Sequence, residues 1–192
     1  MRKLSVLTLA SLLTVSTPAL AHVGHAEHGS FIAGALHPLS GMDHILAMVG
    51  VGLWAAALGG RALLAVPAAF VGVMLLGFVM ALFGLPVPFV EPVILASIVV
   101  VGLLVAIAQP VPTAAAAAIV GLFAFFHGHA HGAELAGNSA FWFGAGFALA
   151  TAFLHAAGVG LGIAMGRFMH GSAGVRIAGG VAALGGVLLL AN

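Results

Sequence analysis

The chain has 192 residues, 63% of them hydrophobic and only 5% charged, with a mean hydropathy of +1.28 and a formal net charge of +1. A soluble domain carries about 25% charged residues, so this chain cannot clothe a water-facing surface and reads as a membrane protein. The lack of a basic run excludes nucleic acid as a partner, and the absence of cysteine excludes disulfides, thiolate metal sites and thiol nucleophiles.

Residues 1–21 read as a secretory signal peptide. Arg2 and Lys3 form its positive start, Leu4 to Val15 its apolar centre, and Ala19, Leu20 and Ala21 a small-residue cleavage site. The apolar run is shorter than the roughly 20 residues a span needs. Cleavage after Ala21 leaves residues 22–30 as a periplasmic tail with His22, His25 and His28. A new N-terminal His22 would join its α-amine to its imidazole as a chelating pair; incidental histidines on a flexible tail are the plain alternative.

Residues 31–192 predict an all-α, polytopic membrane bundle of six spans, near 31–57, 62–84, 90–109, 113–134, 139–163 and 173–191. Each is long enough for a hydrocarbon core of about 30 Å. With the mature N-terminus outside, Arg61, Arg167 and Arg176 all fall in or beside cytoplasmic connections, as the positive-inside rule requires. The expected location is the inner membrane of a bacterium. Gly158, Gly162 and Gly166 recur at four-residue spacing, and Gly179-Gly180 and Gly185-Gly186 are paired, which predicts close helix packing within the bundle.

Ionisable side chains are costly inside a bilayer and mark functional sites there. Span 1 carries His37, Asp43 and His44. On a continuous helix His37 and His44 lie within about 20° of each other, and Asp43 can join them or steady a neighbouring imidazole. Pro38 and Gly41 allow an interruption between them, freeing carbonyls to line a cavity. Met48, one turn after His44, is a candidate soft donor, whereas Met74, Met80 and Met165 read as packing.

Span 4 carries His127 and His131, the i, i+4 spacing by which one helix face offers two imidazoles to one ion. Glu134 returns to the face of His127, and His129 points away from it. Gly128 and Gly132 alternate with these histidines and allow another backbone to come close. His155 lies deep in span 5 with Thr151 one turn earlier, and is a further candidate on an ion pathway. His170 reads as a solvated loop residue.

The two strings, His-x5-Asp-His at His37, Asp43 and His44, and Phe-His-Gly-x-Ala-His-Gly-x-Glu at His127, His131 and Glu134, resemble the HupE/UreJ family of membrane proteins. The signal peptide and six-span length extend the resemblance over essentially the whole chain. The resemblance implies a permease, not an enzyme, with no prosthetic group. Its cargo would be Ni(II), in some members Co(II), supplied to hydrogenase or urease maturation through a cytoplasmic metallochaperone. His37, Asp43, His44, His127, His131 and Glu134 would be the principal metal ligands, with His129, His155 and His22 secondary.

The donors themselves are borderline nitrogen and oxygen ligands that suit Ni(II), Co(II), Zn(II) or Cu(II), so nickel comes from the resemblance alone. No phosphate-binding Gly-rich loop ending in Lys-Ser/Thr is present. An inside-negative potential would suffice, at about 4.6 kcal/mol per 100 mV for a divalent ion. Imidazolium does not bind metal, so uptake is expected to weaken as external pH falls through about 6.5. The rival from another class is a membrane-embedded zinc metalloenzyme with an open coordination position. A neutral-molecule channel is a third reading, opposed by Asp43 and Glu134. Spans 1 and 4 run in opposite directions and each opens a group of three. That order suits a 3+3 inverted repeat, although the two halves show no convincing residue-level similarity.

Overall fold

The computed structural model describes residues 30–135, 140–168 and 173–191. The predicted signal peptide, the tail histidines His22, His25 and His28, and His170 lie outside the described residues. Hydropathy and punctuation by Gly and Pro divide the described chain into helices α1 (Phe31–Ser40), α2 (Met42–Leu58), α3 (Ala62–Leu82), α4 (Val90–Ile107), α5 (Thr113–Ala133), α6 (Ala140–Phe168) and α7 (Ala173–Leu190). No strand occurs among the described residues. Helices α3 to α7 are each long and apolar enough to cross a membrane, and α1 with α2 passes the same test as a broken pair. The predicted all-α, multi-pass membrane fold is therefore found. Helix α6 continues to Phe168, past its predicted end at 163.

The first span departs from a continuous helix. Ser30 Oγ accepts the Ala33 N–H at 3.0 Å and starts α1. Pro38, with no N–H to give, sits inside α1. Gly41 then adopts extended backbone at φ −109° and ψ 132°, and α2 leaves at 85° to α1. Ser40 Oγ donates to the carbonyl of His37 at 2.7 Å, satisfying a group near the break. The heptad argument for His37 and His44 thus fails, because the two stand on different helix segments.

Helix α3 packs chiefly on α5, α4 on α7, and α6 on both α1 and α2. Glycines set these crossings, since each admits a neighbouring backbone where a Cβ would collide. The collisions are reciprocal and occur twice. Gly52 on α2 lies against the carbonyl of His155, and Gly158 against the carbonyl of Val49. At the equivalent crossing of α5 with α3, Gly128 lies against the carbonyl of Met74, and Gly77 against that of Phe125. One turn further on, Gly162 meets Ala56 and Gly132 meets Ala81. Helices α4 and α7 cross each other on equal terms: Gly102 meets the Gly179 carbonyl and the Ala183 amide, and Gly179 meets the Gly102 carbonyl and the Ala106 amide. The first three spans therefore pack against the last three as a two-fold arrangement, the pattern of an inverted repeat. Of the glycines expected to pack closely, Gly158, Gly162, Gly179 and Gly186 do, while Gly166 and Gly180 face open space.

The interior is filled by Met48, Trp54, Phe70, Met74, Ile98 and Phe147, all fully buried. Large apolar residues also cover the outside: Leu64 is 81% exposed, Phe153 69% and Ile177 64%. Such a surface requires lipid rather than water around it. At the ends of α2, α4 and α6 opens a cavity of about 470 Å³, lined by Trp54, Leu104, Gln109, Gly162 and Arg176 among others. Arg176 Nε there donates to the Ala106 carbonyl at 2.9 Å. The histidines gather at the other end.

Candidate metal centre

Three helix ends build the site. The last turn of α1 supplies His37, the first turn of α2 supplies Asp43 and His44, and the last turn of α5 supplies His131. Small residues bring these ends together. Gly34 and Gly146 seat α1 directly on α6, and Gly132 seats α5 on the Phe78 carbonyl of α3. Phe143 and Phe147 of α6 form one wall: both rings lie within 6.0 Å of the His37 ring, and Phe147 lies 4.9 Å from His131. Phe78 stacks on Phe143 behind them.

The imidazoles converge. Ring centroids of His37 and His131 are 4.3 Å apart, those of His44 and His131 4.9 Å, and those of His37 and His44 5.4 Å. One ligand atom from each of His37, His44 and His131 lies within 4.8 Å of the others. His44 and His131 are buried, whereas His37 and Asp43 are half-buried at the edge. An approaching cation can therefore meet Asp43 and His37 first and settle against His44 and His131.

Asp43 Oδ1 lies 3.0 Å from His44 Nδ1. The angle falls short of a hydrogen bond, but the carboxylate still favours the proton on Nδ1 and leaves the Nε2 lone pair of His44 facing inward. That Nε2 is 2.7 Å from Nε2 of His131, so with the His44 proton on Nδ1 it is His131 that donates. An ion with bonds of about 2.1 Å keeps neighbouring ligands roughly 3.0–3.4 Å apart, so the two nitrogens must part slightly and His131 must shift its proton to admit one. Gly41 holds this corner open, since a Cβ there would strike Asp43 Oδ1 and crowd His44 Nδ1. Its φ of −109° suits any residue, so Gly41→Ala is expected to fold and to lose several-fold in metal affinity. Nickel titration of the purified variant checks this.

The remaining candidates lie elsewhere. His127, one turn before His131, has its ring 6.1 Å from His44 and lies outside the three-histidine group. Its Nδ1 donates to the Phe123 carbonyl at 3.0 Å. Of the i, i+4 pair, His131 is thus the member whose donor atom groups with His37 and His44, and His127 lies one turn inward with its ring edge-on to that of His44. His129 Nε2 donates to the Leu85 carbonyl at 2.6 Å and ties α5 to the α3–α4 connection. Glu134 is exposed just past the end of α5, apart from the histidines. Its carboxyl is held above the usual range, first by partial desolvation and then by repulsion from Glu91. His155 is fully buried in α6, its Nδ1 donating to the Met48 carbonyl at 2.8 Å. Met48 thus contributes its carbonyl to this network while its side chain packs in the core. The walls Phe143 and Phe147 escaped the sequence reading. The available signal was their i, i+4 continuation into Thr151 and His155.

Several polar atoms are buried without a partner, among them His127 Nε2, His155 Nε2 and Thr151 Oγ1. Each such atom costs about 1–3 kcal/mol.

The HupE / UreJ protein family model matches residues 10–189. Protein HupE of Rhizobium leguminosarum bv. viciae is 47% identical over 194 residues, covering 99% of this chain and 99% of that protein. No solved structure matches. The family match over nearly the whole chain, together with the relative's near-complete overlap, means that the chain belongs to the HupE/UreJ family.

Proposed function

We propose that the chain is an inner-membrane permease for a divalent transition-metal cation, with nickel as its cargo and hydrogenase or urease maturation as its destination. The observation that carries this reading is the meeting of His37, His44 and His131 from three helix segments, with Asp43 beside them. Neutral imidazoles backed by a carboxylate suit Ni(II) and Co(II). The choice of nickel rests on the family resemblance.

Residues 1–21 are a cleaved signal peptide in this account, and residues 22–30 a periplasmic tail ahead of the transmembrane domain. The ion arrives at the histidine end, drawn by Glu91 and Glu134 and gathered by the tail histidines, His22 foremost. It exchanges part of its water shell for Asp43, His37, His44 and His131, moves inward past His127 and His155, and leaves to a cytoplasmic metallochaperone. Arg61, Arg167 and Arg176 mark the cytoplasmic end. The membrane potential supplies the drive.

Asp43→Asn is expected to weaken nickel uptake 10–100-fold in apparent affinity, the usual cost of losing a carboxylate that orients a metal-bound imidazole. Uptake of radioactive nickel by cells with matched membrane levels measures it. Wild-type rates in His37→Ala, Asp43→Ala and His131→Ala together would overturn the reading.

A further inference from the structure

We infer that the bundle holds a second cation station near its centre, formed by His127 of α5 with Thr151 and His155 of α6, distinct from the His37, His44 and His131 group. It deepens the permease reading and rests on it, because it assigns a second halt to the same cargo.

The first support is the protonation state that the hydrogen bonds impose. His127 Nδ1 faces the Phe123 carbonyl and His155 Nδ1 faces the Met48 carbonyl. A carbonyl only accepts, so each ring carries its proton on Nδ1 and a lone pair on Nε2. Both Nε2 atoms are buried with no hydrogen-bond partner, and so is Thr151 Oγ1. Two nitrogen lone pairs and a hydroxyl oxygen, each on a fully buried residue, are neutral donors of the kind a borderline cation takes.

The second support is position. Phe143, Phe147, Thr151 and His155 follow at four-residue intervals on one buried stripe of α6. Its first two members wall the outer histidine group, and its last two lead inward, His155 lying about 12 Å along the helix from Phe147. His127 sits one turn inward of His131 on α5. The His127 and His155 rings both pack on Phe70, at 5.5 and 4.8 Å. Met48, whose carbonyl sets the His155 tautomer, follows His44 by one turn on α2. Helices α2, α5 and α6 thus each run from the outer group inward to the inner one.

The third support is the two-fold packing. The carbonyl of His155 marks the crossing of α6 with α2 at Gly52, and its equivalent, the carbonyl of Met74, marks the crossing of α3 with α5 at Gly128, next to His127. The station thus lies between the two equivalent crossings, where inverted-repeat transporters place their cargo. Its lack of a carboxylate suits a halt that an ion must leave as readily as it enters.

Nickel binding to the purified full-length protein in detergent, read as metal per chain by equilibrium dialysis, tests this. Wild type should bind two ions, the His37→Ala/His131→Ala double variant one, and His155→Asn one. Thr151→Val, which preserves shape and removes only the oxygen, should weaken the second ion at least several-fold and leave the first unchanged. In cells it should slow nickel uptake at saturation without raising the half-saturating concentration. A wild type that binds one ion, lost entirely in the outer double variant, overturns the station while the permease reading stands. A wild type that binds none overturns both. Full wild-type stoichiometry and uptake in both Thr151→Val and His155→Asn also overturns the station.

Discussion

His131→Ala is expected to abolish nickel uptake while leaving the protein in the membrane. The imidazole occupies the centre of the outer group, with its ring 4.3 Å from that of His37 and 4.9 Å from that of His44. Removing it takes away one of three converging nitrogens and leaves His44 Nε2 without its donor among the described residues. Losing an outer-shell partner of a metal ligand already costs 10–100-fold, so losing a ligand should exceed about 100-fold in affinity. The fold should survive, because the helix ends at this point are held by the Gly34, Gly132 and Gly146 crossings and by His129 on Leu85. His129→Ala is the matched control: it removes a hydrogen bond worth about 1 kcal/mol and no ligand, so uptake should stay within a few-fold of wild type. Radioactive nickel uptake, normalised to membrane protein, compares the two. Equal losses in both would remove the special role of His131.

Gly128→Leu should have the largest effect on the fold. A Cβ at this position would run into the carbonyl of Met74, with the Phe78 amide close behind, at the core of the α3–α5 crossing. Ordinary overpacking costs about 1–3 kcal/mol when side chains can yield, and here the obstacle is backbone. The helices must separate, and the His127 and His131 that flank this glycine move with α5. Gly72→Leu and Gly180→Leu, at positions that face open space, should behave as wild type. Size-exclusion profiles of detergent-solubilised protein give the comparison. A monodisperse Gly128→Leu protein at wild-type yield would contradict the packing described.

The spans were legible because their apolar runs are long and their breaks contain Gly, Pro and the few charges. Predicted ends at 84, 109, 134 and 191 fall within two residues of the observed helix ends. Pro38 and Gly41 signalled an interruption in span 1, but local sequence holds nothing that sets an 85° bend. Periodicity therefore brought His37 and His44 together for the wrong reason: they meet across a corner and not along a helix face. For His127 and His131 periodicity named a shared face correctly, yet which neighbours stand opposite each residue depends on tertiary packing. His131 faces His37 and His44, whereas His127 turns to Phe123 and Phe70. The inverted arrangement escaped sequence comparison because equivalent places carry unlike side chains, His155 against Met74 among them. What the halves share is glycine at the crossings, Gly52 with Gly128, Gly77 with Gly158 and Gly102 with Gly179, and scattered single glycines are a faint signal in a chain with 28 of them.

Transport in this scheme depends on the imidazoles of His37, His44 and His131 holding the ion. X-ray absorption at the nickel edge of the nickel-loaded, full-length protein tests it most directly. Measured in the His155→Asn background, where the outer ion is held alone, multiple scattering from about three imidazoles is expected, falling to about two when His37→Ala is added and lost with the ion when His131→Ala is added as well. A spectrum of oxygen ligands alone, unchanged in these variants, would contradict it.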